Sequence, residues 1–308
     1  MGMRQRFRTA LVGEPGGHLM GLFVAFAFGS SYAVAKPVLA LLDPFTFAAT
    51  RYLLACAVLL TLLWLRAGPR LPARGDWFRL MVLGLLGYTV FQGVWGVALS
   101  LTSASKAVIL VATTPVFSAL VDRFSGARLS AWGWVGIALA FTGVFLVVNN
   151  SLVELTVGGG SLLGDLLFVG IAALWAVYGA LSRPLVVRLG ALRTTTWAAT
   201  FGTIGLLPLG WLGASNFQWQ MLNTNIVLAI IYSGVVVGCF GLVAWGGGLA
   251  RLGLARISLY LYVSPVVGVS LSVALLGEWL SLVQASGGLA VIAGIALTQL
   301  LGRALPAR

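Results

Sequence analysis

Polar and aromatic side chains recur at helical spacing inside long apolar stretches of this chain, and their chemistry could serve a binding site. Tyr88, Gln92 and Trp95 stand at i, i+4 and i+7, which places them on one face of a helix. Rings in the middle of an apolar stretch either pack against neighbours or line a cavity. An apolar cavity with few polar groups is the usual form of a small-solute site. The predicted lining residues are Tyr88, Gln92, Trp95, Thr114, Trp175, Tyr178, Trp245, Tyr260 and Ser264.

Four prolines fall within the same stretches. Pro115 and Pro265 each follow a hydroxyl residue in mid-stretch, whereas Pro37 and Pro184 each follow a basic residue near an end. Proline removes a helical hydrogen bond, and a neighbouring hydroxyl can satisfy the backbone group that is freed. These positions predict gating points next to a ligand site, with simple packing kinks as the alternative.

Three basic residues stand apart from the rest. Lys36 and Lys106 lie at the ends of apolar stretches, where they either anchor the chain at an interface or attract a carboxylate at the mouth of a cavity. Arg51 lies a short way inside its stretch, where an arginine is costly. We interpret it as a structural charge near the mouth, with Asp43 as a candidate partner, and a direct substrate contact is the alternative.

Several chemistries have no candidate residues. The seven acidic residues all lie at the ends of apolar stretches or between them, so a deep carboxylate proton relay is not expected. No Walker A sequence is present. One histidine, His18, and two separated cysteines, Cys56 and Cys239, do not make a metal site. The sequence therefore predicts no cofactor, no metal and no enzymatic activity.

The composition identifies the environment of the chain. Hydrophobic residues make up 60% of the 308 residues and charged residues only 8%, with a mean hydropathy of +1.02. Because a membrane helix needs about 20 apolar residues, we predict an all-α integral membrane protein with ten transmembrane helices. Spans 1 to 5 are predicted at roughly 18–40, 45–65, 77–99, 104–122 and 131–149, and spans 6 to 10 at roughly 163–183, 192–212, 225–248, 254–276 and 282–301.

The two halves of the chain repeat one another. Trp95-Gly96 returns 150 positions later as Trp245-Gly246, and Pro115 returns as Pro265. An odd number of spans in each copy makes the second copy enter the membrane from the opposite side. Residues 1–149 and 163–308 are therefore predicted to form two inverted five-helix repeats around a central cavity, as in secondary transporters.

The charge distribution predicts the orientation. Of the 19 Lys and Arg residues, 16 fall at one side of the predicted membrane. Under the positive-inside rule both termini are cytoplasmic. The net charge of +12 therefore indicates that the partner of the chain is a lipid bilayer and not a nucleic acid. The protein is expected to be a monomer.

Short motifs in a fixed order resemble a known family. They are Gly29-Ser30-Ser31-Tyr32, Arg51-Tyr52, Ser105-Lys106 with Pro115, and Leu276-Gly277-Glu278. In this order the chain resembles the EamA branch of the drug/metabolite transporter superfamily, and within it the YddG-type exporters of aromatic and other amino acids. The resemblance implies a location in the bacterial inner membrane and a cavity among spans 1, 3, 4, 6, 8 and 9, with spans 5 and 10 outside it. Glu278 has Ala127 at the matching position of the first half.

These expectations lead to one function and two alternatives. The first is a secondary transporter that exports aromatic and other neutral amino acids by alternating access. The alternative within transport is export of drugs, organic cations or another small metabolite. The alternative from another class is a membrane-embedded enzyme or a receptor.

Overall fold

The computed structural model describes residues 14–67, 71–124, 130–149, 160–214 and 222–300. The termini and the connector at 150–159, on which part of the predicted topology depends, lie outside these ranges. All described elements are helical. In the first half they are Glu14–Leu39, Pro44–Ala67, Arg74–Leu101, Ala104–Val111, Thr114–Phe124 and Ala131–Asn149. In the second half they are Gly160–Leu189, Ala191–Ala214, Thr224–Ile231, Tyr232–Gly241, Leu242–Ser258, Leu259–Tyr262, Val263–Leu276 and Leu282–Leu300.

The length and surface of these helices are those of a membrane protein. Within the described ranges, eight helices are long and apolar enough to cross a bilayer, and Leu282–Thr298 is a shorter apolar helix. Ala191–Ala214, the predicted span 7, is a helix of 24 residues that is not among these eight. Large apolar side chains such as Trp64, Trp211 and Leu282 are exposed on the outer surface, as expected for a face that meets lipid. The prediction of an all-α integral membrane fold is confirmed.

Spans 3 and 8 each contain a π-helical segment, a feature that the sequence did not reveal. The segments are Leu85–Val90 and Tyr232–Gly241, and they occupy the same span of their respective halves. In each segment, a glycine lies in close contact with a neighbouring helix. A Cβ atom added at Gly87 would meet the Tyr178 ring at 2.5 Å, and one at Gly234 would meet the Arg51 carbonyl at 2.7 Å. π-Helical turns occur frequently at functional sites, and here they lie in spans that border the central cavity.

Spans 4 and 9 are interrupted where mid-span prolines occur. In span 4 one helix ends at Val111 and the next begins at Thr114, so that Pro115 lies in its first turn. In span 9 a short 3-10 helix, Leu259–Tyr262, precedes the helix that contains Pro265. Proline is tolerated in a first turn because its missing N–H has no helical partner to lose.

Pro37 and Pro184 behave differently. Each lies inside a continuous helix, Glu14–Leu39 and Gly160–Leu189 respectively. Both helices run on through these prolines, in contrast to the interrupted spans 4 and 9. Both prolines lie in the last two turns of their helices. The hydrogen bond that each proline removes is therefore close to the end of the helix.

Spans 5 and 10 pack against each other through glycines. A Cβ atom added at Gly136 would lie 2.5 Å from the Gly294 carbonyl oxygen, and one at Gly143 would lie 2.5 Å from that of Gly287. Such small residues let membrane helices approach closely. Gly136 matches Gly287 in the sequence repeat, and Gly143 matches Gly294, so the repeat-related glycines contact each other crosswise. This is the arrangement expected for two helices of opposite direction around a pseudo-twofold axis.

Candidate functional site

A central cavity lies among helices from both halves of the chain. Its volume open to the centres of water-sized molecules is about 60 Å³, which is room for a few waters. Residues from spans 1, 3, 4, 6, 8 and 9 line it, and span 2 also contributes. The lining residues are Phe28, Ser31, Tyr32, Arg51, Tyr52, Phe91, Gln92, Trp95, Val108, Val111, Ala112, Trp175, Val237, Leu242, Leu261 and Ser264.

Four of the predicted site residues meet at this cavity. Gln92 and Trp95 reach it from span 3, Trp175 from span 6 and Ser264 from span 9. The Ser264 hydroxyl donates to the Ala25 carbonyl oxygen at 3.1 Å, which ties span 9 to span 1 beside the cavity. These four residues combine two indole rings with two neutral polar groups.

The other five predicted residues do not line the cavity, and this part of the prediction is corrected. Tyr88 and Tyr178 contact each other one layer further out, and Trp245 packs behind Trp175. The Thr114 hydroxyl donates to the Val111 carbonyl at the break in span 4. Tyr260 bonds through its hydroxyl to His18, near the start of span 1.

Sequence reasoning missed several lining side chains. Phe28, Ser31 and Tyr32 stand at i, i+3 and i+4 on span 1, so helical spacing could have identified them. Phe91 directly precedes Gln92 and shares its side of span 3. Tyr52 follows Arg51 on span 2, which the family resemblance does not name among the spans around the cavity. Only the packing of the helices shows that span 2 reaches inward.

Trp175 is the centre of the aromatic wall. Its ring centroid lies 4.8 Å from that of Phe91 and 5.5 Å from that of Trp245. It stacks on Tyr178 with centroids 4.9 Å apart and planes inclined by 21°. Aromatic pairs at such separations gain energy beyond the area that they bury. The wall is therefore a packed cluster in which Trp175 and Phe91 face the cavity, with Tyr178 and Trp245 supporting them.

Arg51 lies in the cavity lining and not at the mouth. Its side chain is buried, with the residue 3% exposed, and its Nη2 donates to the Gln92 Oε1 at 2.5 Å. The carboxylate of Asp43 instead accepts from the backbone N–H groups of Phe45 and Thr46. The interpretation of Arg51 as a mouth charge paired with Asp43 is therefore wrong. The Asp43 carboxylate caps the free N–H groups at the start of its own helix and does not bind Arg51.

A second polar group, which we call the Asp165 network, lies at the end of the bundle that the sequence predicts to be external. It consists of Lys36, Thr102, Lys106 and Asp165. Asp165 accepts from the Thr102 hydroxyl and from the Lys106 ammonium, each at 2.5 Å. Lys36 donates to the carbonyl oxygens of Leu99 and Thr102 at 2.6 and 2.5 Å. The network joins spans 1, 3, 4 and 6 at one end of the cavity.

The sequence left two roles open for the two lysines of this network, anchoring and attraction of a carboxylate at a mouth, and in the structure both lysines are bound within the protein. Lys106 is neutralised by Asp165, whose side chain is completely buried. Lys36 is held by main-chain carbonyls. Charged groups in a membrane protein pair with each other or with carbonyls because an unpaired charge is expensive there. In this state both lysines therefore close the end of the bundle.

Glu278 contributes a helix cap at the same end. Its two carboxylate oxygens accept from the N–H groups of Ala104 and Ser105 at 3.1 and 2.9 Å. A carboxylate at a helix N-terminus satisfies free donors and the helix dipole together. Glu278 thus joins the end of span 9 to the start of span 4. Ala127, the matching residue of the first half, lies outside the described residues.

The opposite end of the bundle has more exposed charge pairs. Arg256 and Glu14 lie 3.0 Å apart with side chains 59% and 67% exposed. Arg188 pairs with the buried carboxylate of Asp76. An exposed ion pair contributes little to stability, whereas removing one partner of a buried ion pair strongly destabilises the protein. The ion pairs at the two ends of the bundle therefore differ in exposure.

Comparison with known proteins is decisive at this point. The EamA-like transporter family matches residues 15–149 and, a second time, residues 162–300. The chain belongs to the EamA-like transporter family. An uncharacterized transporter of Archaeoglobus fulgidus is 30% identical over 91% of this chain and 96% of its own length. A probable terminal-alkyne amino-acid exporter of Streptantibioticus cattleyicolor is 29% identical over 75% of each chain.

A solved structure has the same fold. One crystal structure superposes on the EamA-family chain with a TM-score of 0.65, covering 95% of this chain and 99% of the other, at 21% identity. Together with the apolar helices, the family assignment makes this chain a multi-pass membrane protein of a transporter family.

Proposed function

We propose that this EamA-family transporter exports neutral amino acids, aromatic ones included, by alternating access. The observation that carries the proposal is the central cavity, which both halves line and which combines an aromatic wall with a few fixed polar groups. Apolar walls provide most of the buried contact for a small solute, and placed polar groups orient it. The Streptantibioticus relative, named as a probable amino-acid exporter, supports the same substrate class.

The Asp165 network and the interrupted helices support an alternating-access mechanism. One end of the cavity is closed by buried contacts among spans 1, 3, 4 and 6, which must separate for that end to open. The breaks at Ala112–Thr113 in span 4 and at Leu259–Tyr262 in span 9 provide hinge positions in both halves. We propose that the halves rock about these breaks, as in other inverted-repeat carriers. The lining contains no carboxylate, so we propose passive carriage or exchange.

We also propose that both termini are cytoplasmic and that the chain works as a monomer in the bacterial inner membrane. The bias of basic residues supports this orientation. The Asp165 network then faces the outside of the cell. An impermeant reagent added outside would consequently reach the cavity only when that network opens.

Two alternative functions fit the cavity less well. An organic cation would be repelled by the Arg51 guanidinium, which the lining includes. An enzyme would need a nucleophile paired with a base. The two serine hydroxyls of the lining instead donate to backbone carbonyls, Ser31 to Phe28 at 2.6 Å and Ser264 to Ala25 at 3.1 Å. We therefore propose no catalytic role.

The aromatic wall gives a test of the substrate class. Phe91→Ala is expected to raise the KM for phenylalanine uptake into proteoliposomes about 2- to 13-fold, because ring–ring contact contributes roughly 0.5–1.5 kcal/mol. The KM for threonine should change less, since threonine has no ring. Phe26→Ala, which removes an exposed ring from span 1, is the matched control and should leave both unchanged. Equal losses for both substrates would mean that Phe91 only holds the helices together.

A further inference from the structure

Arg51 is a buried cation for which the described part of the chain provides no anion. Its guanidinium carbon lies 4.6 Å from the centroid of the Trp95 ring, 4.9 Å from that of Phe47 and 5.2 Å from that of Tyr52. The ion pairs found in the described part of the chain do not include it. Its partner, Gln92, is neutral.

The hydrogen-bonding capacity of the Arg51 side chain is also only partly used. A guanidinium carries five N–H donors in a fixed fork, and one side-chain acceptor, Gln92 Oε1, takes a bond from Nη2. The Nε atom is buried and has no hydrogen-bond partner. Leaving a buried donor unpaired is unfavourable. Nε and Nη2 share one edge of the guanidinium plane, and that edge is the one that binds a carboxylate through two parallel bonds.

The other cations near the cavity are satisfied by the protein itself. Lys106 has Asp165 at 2.5 Å, and Lys36 has two main-chain carbonyl oxygens. Aromatic faces offset part of the cost of burying Arg51, but they bring no negative charge. Of these three basic residues, Arg51 is the one that lines the cavity.

We propose that Arg51 binds the carboxylate of the transported solute, with Gln92 holding the guanidinium in position until the solute arrives. The carboxylate accepts from Nε and Nη2 and displaces the Gln92 oxygen, while the rest of the solute lies along Trp95 and the aromatic wall. The proposal rests on the proposed function for the identity of the ligand as cargo. It makes the carboxylate of that cargo a requirement for binding and Arg51 the residue that recognises it.

Two probes of nearly equal size separate charge from shape. Phenylacetate carries the carboxylate, and 2-phenylethanol replaces it with a neutral hydroxyl. Binding of each to the purified full chain in detergent can be followed by tryptophan fluorescence, because Trp95 is next to Arg51. We expect phenylacetate to bind about 10- to 100-fold more tightly than 2-phenylethanol, as a charge-assisted pair of bonds should. Equal affinity, or no binding of phenylacetate, overturns the proposal without any variant.

Variants then identify the residue. Arg51→Gln should abolish the preference for phenylacetate and leave 2-phenylethanol binding within about twofold. Arg51→Lys should restore part of the preference, because it keeps the charge but not the two-donor edge. A loss of affinity for both probes alike would indicate a purely structural role and overturn the assignment.

The outcome is separable from that of the proposed function. Phenylalanine flux in proteoliposomes without any carboxylate preference in binding would support export and overturn the role of Arg51. A carboxylate preference that depends on Arg51, without flux of any amino acid, would support the role of Arg51 and overturn amino-acid export.

Discussion

Asp165→Ala is expected to destabilise the folded protein by about 3–5 kcal/mol, the usual loss when one partner of a buried ion pair is removed. The substitution leaves the Lys106 ammonium, whose side chain is only 11% exposed, without its counter-charge. It also removes the acceptor of the Thr102 hydroxyl. Unfolding in detergent followed by circular dichroism would measure the change. Glu14→Ala, which breaks the exposed pair with Arg256 at the opposite end, should cost less than about 1 kcal/mol.

The same variant tests the orientation of the chain. If the Asp165 network closes the outer end, its loss should increase the reaction of a cysteine in the cavity, Ser31→Cys, with an impermeant maleimide added to intact cells. Both native cysteines are buried, so background labelling should be low. Increased reaction in inverted vesicles alone would show that the network faces the cytoplasm. In the unfolding measurement, a stability of Asp165→Ala equal to that of Glu14→Ala would show that Asp165 and Lys106 do not form a buried pair.

The second large effect is expected where spans 5 and 10 cross. Gly143→Leu should destabilise the protein by about 1–3 kcal/mol, since the new side chain begins 2.5 Å from the Gly287 carbonyl and 2.6 Å from the Val291 nitrogen. Backbone atoms cannot move aside as a flexible side chain would. The measurement is the free energy of unfolding in detergent.

Gly170→Leu provides the control for this substitution. It adds the same side chain to a helical glycine whose Cβ position is open, and it should have little effect. If both variants lost the same stability, the added side chain itself and not the glycine contact would be the cause, since leucine favours a helix more than glycine does. An unchanged Gly143→Leu protein would contradict the close crossing of the two spans.

The architecture was largely predictable because the bilayer imposes strong rules on a sequence. Apolar length identified the helices, and the repeat of Gly136 and Gly143 as Gly287 and Gly294 marked the two related halves, whereas the contact between spans 5 and 10 is seen only in the structure. Mid-span Pro115 and Pro265 marked interrupted helices for a local reason, since proline cannot donate the helical bond. The π-helical segments in spans 3 and 8 had no such local signal in the sequence.

The site was only partly predictable because neighbours along a helix do not show which face meets another helix. Trp175 and Tyr178 share a face by spacing, yet one lines the cavity and the other supports it. Arg51 resembles an interfacial charge in the sequence, and its position depends on how span 2 tilts against span 3, where Gln92 binds it. Lys106 and Asp165 are 59 residues apart, and no spacing rule pairs them.

Counterflow of phenylalanine tests the central claim most directly. Proteoliposomes preloaded with unlabelled phenylalanine, with no ion gradient, are diluted into a trace of labelled phenylalanine. A carrier that exposes one site alternately to each side should accumulate label above the outside concentration and then release it as the gradient decays. Liposomes without protein should show no accumulation. Label that rises only to the outside concentration would indicate a channel, and no entry of label at all would contradict amino-acid transport.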